Sequence, residues 1–222
     1  MEVIKDEQRL HDANGSNGND RWNIWLKIWI RPRETMRRIL NEPNNVEQII
    51  LLLLVGGFIY ALNQSALKNA GDSTSLWSLF LSLTFATTIG AIIYYFVIGG
   101  LFYWVGKLLG GTGSYRDVRL SLAYAYIPSV ITLVTWIPSL ILFGKENFTS
   151  ETPRMDSSIG LLIIFLIFGI IEFIIGIWSV FIFLKCLGEA HRFSAWKALL
   201  TFILPFILLV ILGGIIAVAL GG

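Results

Sequence analysis

The chain has 222 residues, 55% apolar and 14% charged, with a net charge of +2 and a mean hydropathy of +0.69. That balance excludes an ordinary soluble domain and points to an all-α polytopic membrane protein. A charge so close to neutral, with no Lys/Arg run interleaved with stacking aromatics away from the membrane-flanking segments, argues against a nucleic-acid partner. The single cysteine, Cys186, excludes an internal disulfide and any multi-cysteine metal site.

Residues 1–21 are polar and rich in Asn and Gly, and read as a disordered cytoplasmic tail. Residues 22–45 form an amphipathic interfacial segment. Trp22, Trp25 and Trp29 share a helical face, and Ile28, Met36, Ile39 and Leu40 alternate with Arg31, Arg33, Arg37 and Arg38. Such a basic, Trp-bearing stretch suits the headgroup layer of an anionic leaflet. Pro32 is expected to open the second of two short helices.

Residues 46–222 form the membrane domain, with apolar stretches long enough to span at 49–67, 76–101, 123–143, 159–184 and 195–220. The second continues to Leu109, so it either projects from the bilayer as one long helix or breaks near Gly99 and Gly100. Charge decides between these. With five spans, 14 Lys/Arg fall on the N-terminal side of the membrane and 3 on the other, which makes the N terminus cytoplasmic and the C terminus external. Splitting the second stretch would send Lys107, Arg116 and Arg119 outside, so one long helix is preferred. In a bacterium the location would be the plasma membrane.

The loop after that helix contains Gly110, Gly111 and Gly113 but lacks the spacing of a phosphate-binding loop. It reads instead as a turn, with Ser114 as N-cap and Asp117 at N3 of the next helix. Ser82, Ala86 and Gly90, and likewise Gly106 and Gly110, are small residues at fourfold spacing and read as helix-packing surfaces. Pro128, Pro138 and Pro205 are expected to kink their helices. Asn147 opens a glycosylation triplet in a loop expected outside. His191 and His11 have no neighbours at metal-ligand spacing and read as solvated loop histidines. No catalytic motif occurs, no cofactor is implied, and the protein is read as a non-enzyme.

Glu172 is the exception to this apolar pattern. It stands in the middle of the fourth stretch, where a carboxylate costs roughly 2.5–3.5 kcal/mol on insertion scales and so faces protein or a wet cavity. Gly169, Gly176 and Ser179 lie three before, four after and seven after it, on the same helical face. The face is expected to point into a helix bundle. Tyr94, Thr88, Thr132 or another subunit are its candidate partners, and a second copy of the chain is one of them.

The run from Ile28 to Arg31 and Pro32, the stretch from Leu101 through Trp104, Gly106 and Lys107 to Gly111, and Tyr115 to Val118 leading to Pro128 resemble the Yip family. These are five-span membrane proteins that interact with Rab/Ypt GTPases, together with bacterial relatives, which the short N-terminal tail resembles more. The resemblance implies five helices, a cytoplasmic N terminus and a protein acting through contacts with other proteins. The partner implied is a component of an ABC exporter in envelope-stress or toxin resistance in bacteria, or a small GTPase in a eukaryote.

Two functions remain open on the residues. One is a membrane adaptor or assembly factor whose cytoplasmic surface is Arg31, Arg33, Arg37, Arg38, Arg116, Arg119 and Arg192. The other is a small transporter or channel using Glu172 as a proton or cation site.

Overall fold

The computed structural model describes residues 24–43 and 45–219. The expected tail at 1–21 and Trp22 lie outside the described residues, among which there is no strand. Helix α1 (24–30) is followed at once by α2 (Pro32–Asn41). Pro32 opens the second helix as expected, because its missing N–H would have no helical partner in the first turn.

Asn45 caps α3 (Val46–Leu67) by accepting from Gln48 N, and Ser75 caps α4 (Leu76–Leu108) by accepting from Ser78 N. The 33 residues of α4 make about 50 Å of helix against roughly 30 Å of hydrocarbon. It is one helix, and Gly99 and Gly100 do not break it. A π turn over Tyr94–Ile98 precedes them, and Tyr115 Oη donates to Phe96 O at 2.7 Å within that turn. Gly99 is instead a place of close approach, since a Cβ there would lie 2.8 Å from Arg119 Cγ.

The third stretch differs most from its expected form. Its helix begins at Tyr115, after the expected Ser114 cap and ahead of the apolar span at 123–143, and it has three pieces, α5 (Tyr115–Tyr124), α6 (Ile127–Val130) and α7 (Leu133–Phe143). Its two halves meet at 49°. Pro128 supplies no N–H in the α6 turn, and the Tyr126 ring fills the space beside Gly56. The expected capping box is present at Ser114 and Asp117. A 3-10 turn (Gly144–Phe148) and the short α8 (Pro153–Asp156) lead into α9 (Ile159–Ala190), which is followed by α10 (Ala195–Ala219).

By length and apolar composition α3, α4 and α9 can each cross a membrane. The bent α5–α7 stretch makes a fourth span if its halves count as one, and α10 carries an apolar helix over Ala195–Leu208. Among the described residues three to four spans meet these criteria, where the sequence reading has five.

Packing is concentrated at the end where the basic loops meet. There Ile28, Met36 and Ile39 of α1 and α2 join Leu52, Leu120, Ile127, Ile182 and Cys186 in one core, and Phe102, Val118, Leu187 and Ala198 form a second. Leu62, Leu79, Leu83, Trp136 and Phe148 make a third toward the opposite end. Burying side chains such as Ile28 and Met36 is worth roughly 1.5–3 kcal/mol each against water. The amphipathic segment thus docks on the bundle with one face, while Leu26 and Ile30 stay exposed on the other.

Candidate functional site

Glu172 lies halfway along α9 and is half-buried. Its Oε1 is 2.7 Å from Thr135 Oγ1 on α7, one turn beyond the Thr132 anticipated as a partner. Thr135 Oγ1 is also 2.7 Å from Thr132 O, and a hydroxyl has one proton to donate. A carboxyl that carries its own proton completes both bonds. The small residues beside it do not touch another helix: a Cβ added at Gly169 or Gly176 would meet nothing within 4 Å. No residue from 159 to 181 is buried within the chain. The face is therefore open, with one polar link to α7, whereas Ser179 bonds to Ile175 O of its own helix at 2.8 Å.

The arginines sit at the packed end, and most bind the chain itself. Arg33 donates to Phe193 O at 2.8 Å, Arg37 to Glu189 Oε1 at 2.7 Å, and Arg38 to Glu42 Oε1 at 2.8 Å. Arg116 reaches Leu40 O at 3.3 Å and Glu42 O at 3.2 Å, tying α5 to the end of α2. The Glu189 carboxylate raises the Arg37 guanidinium above its ordinary range through their hydrogen bond. Arg119 lies over three rings, 4.9 Å from the Tyr95 centroid, 5.1 Å from Phe96 and 4.4 Å from Tyr115, contacts that combine charge with ring quadrupoles. Arg31 is exposed beside Glu34 at 3.4 Å. Arg192 is exposed on a left-handed backbone, with φ +59°.

His191 corrects the expectation of a solvated loop histidine. It is fully buried, and the glycine loop is what buries it. Its ring abuts Gly106 and Gly111, a Cβ at Gly113 would strike Ala190 O, and Phe193 stacks on the ring with centroids 5.0 Å apart at 11°. Thr112 N donates to His191 O at 3.0 Å, joining the α4–α5 and α9–α10 loops. His191 Nε2 lies 3.2 Å from Phe102 O, an acceptor, so this nitrogen carries the hydrogen, while Nδ1 is buried without a partner. Burial pushes the imidazole below its ordinary range. Gly106, Gly111 and Gly113 facing a loop histidine was the available signal, and it was visible only as two separate loops.

The small-residue stripe Ser82, Ala86 and Gly90 likewise packs no helix. It lines a groove of about 840 Å³ between α3, α4 and the α9–α10 pair, which Ser179 also lines and Glu172 does not. Among the described residues no group of His, Cys, Asp and Glu is arranged to hold a metal ion. Asn147 is also engaged, donating to Ser139 O at 3.0 Å and Gly144 O at 3.1 Å.

These features define a helical integral membrane protein with a basic, tightly packed end. The Yip1 domain model matches residues 26–217, and the chain belongs to that family. No curated protein and no solved structure matches it.

Proposed function

We propose that the protein is a non-enzymatic membrane adaptor that docks a partner's transmembrane helix on the open face of α9, with its N terminus in the cytoplasm. The observation that carries this reading is the half-buried Glu172 between Gly169 and Gly176, neither of which meets anything in its own chain. Small residues admit a second helix backbone, and a polar group on that helix would satisfy the carboxyl oxygen that Thr135 leaves open. Family membership supports action through protein contacts, and for a bacterial member the partner would be an exporter component. The transporter alternative lacks comparable support, because Glu172 is not among the residues lining the groove.

The test places a photocrosslinking residue at Gly169 or Gly176 in native membranes and compares Glu172 with Glu172→Ala. A discrete adduct that is weakened by Glu172→Ala supports the adaptor. Crosslinking to lipid alone in both backgrounds refutes it.

A further inference from the structure

The groove between α3, α4 and the α9–α10 pair plays no part in the adaptor reading, and its shape points to a ligand. It follows α4 from Ser82 to Phe102, about 30 Å of helix. That length is close to the roughly 30 Å thickness of a bilayer's hydrocarbon core, and the lining is mostly apolar along it, as an extended hydrocarbon chain requires.

The lining has two ends. Phe102, Phe183 and Phe202 close the end nearer the basic loops, and Gln64, Ser65 and Lys68 stand at the other. Among the described lining residues there is no Asp or Glu, so the polar end is cationic. Ser82, Ala86 and Gly90 along the α4 wall are exposed, which opens the groove sideways to the bilayer. We propose that it seats one acyl chain of an anionic phospholipid from the surrounding membrane, with the phosphate at Lys68, Gln64 and Ser65. The side opening favours a bilayer lipid, which enters laterally, and the lysine selects its charge.

The experiment is native mass spectrometry of the full chain released from bilayers of equal phosphatidylglycerol and phosphatidylcholine. The expected result is one retained phospholipid, with phosphatidylglycerol favoured about fivefold, the factor that one lysine near an anionic surface supplies. Lys68→Gln should bring the two lipids to parity while keeping the adduct. Gly90→Phe should abolish the adduct, since nothing within 4 Å blocks a side chain there and the ring would fill the groove. Ala86→Phe is a second filling variant, used if Gly90→Phe does not elute as a folded species. Ile141→Phe adds a ring at an exposed position of α7 outside the lining and should leave the adduct unchanged. Equal retention in wild type and the filling variants, no lipid preference, or a co-purified amphiphile other than phospholipid overturns the proposal.

Discussion

Gly106→Ala tests the loop lock around His191. A Cβ at this position would overlap the imidazole, and the ring has little room to move, since Phe193 covers one face and Nε2 is held at Phe102 O. Overpacking of this kind costs about 1–3 kcal/mol. For a domain of this size each kcal/mol moves the midpoint by about 2–4 °C, so the expected loss is roughly 2–12 °C. The assay is thermal unfolding of the detergent-purified protein, followed by monodispersity after heating. Gly90→Ala is the internal contrast: it meets nothing within 4 Å and should be neutral or slightly stabilising, by up to about 1 kcal/mol from helix propensity. Adding His191→Ala should relieve most of the Gly106→Ala defect, because contacting residues are non-additive. A Gly106→Ala protein as stable as wild type, or strictly additive losses in the double variant, would refute the lock.

The same site makes stability depend on pH. His191 titrates below its ordinary 6.5 when folded, so the unfolded chain takes up protons first as pH falls. Stability should be flat above about 6.5 and decline below it, and a His191→Gln variant that keeps the same acid slope would show that the histidine is not responsible. Lys107 opposes its protonation and Asp117 favours it, so Asp117→Asn should steepen the decline. For docking of α1 and α2, Arg33→Gln should speed tryptic release of the segment more than Arg37→Gln. Arg33 bonds a backbone carbonyl across the interface, while Arg37 is an exposed partner in a surface ion pair; the reverse order would contradict this ranking. Asn147→Ala should cost about 1–3 kcal/mol, since it strands the acceptors Ser139 O and Gly144 O. In a glycosylating host Asn147 should stay unmodified, read as gel mobility insensitive to glycosidase.

Local rules carried much of the fold. Pro32 as a helix opener, the Ser114 and Asp117 capping box and the unbroken α4 each depend on residues within one or two turns, and the structure has all three. What sequence spacing could not supply was which surfaces meet. Gly106 looks like half of a helix-packing pair, yet it receives a histidine 85 positions later. Ser82, Ala86 and Gly90 have the spacing of a helix contact, yet they line a groove, because small residues permit approach without requiring it. The arginines of α2 carry the composition of a headgroup-binding face, and the structure turns three of them to Phe193, Glu189 and Glu42.

The open half of α9 is not in itself evidence for a partner. Lipid tails are as apolar as Ile or Phe, so the exposure of Phe173, Ile174 and Ile177 incurs no hydrophobic penalty in the bilayer. What favours a partner is the contrast along a single helix. Its C-terminal turns bury Ile182, Cys186 and Leu187 against α2, α5 and α10, which fixes its direction. Its N-terminal half buries no residue completely, lies against α7 through Phe165 on Phe143, and carries a carboxyl group that has one hydroxyl for company. A side chain that costs roughly 2.5–3.5 kcal/mol at the bilayer centre and is only partly offset by one hydrogen bond is a burden for a purely structural helix. A partner helix that completes its hydrogen bonding recovers part of that cost, and the same interaction would select the partner.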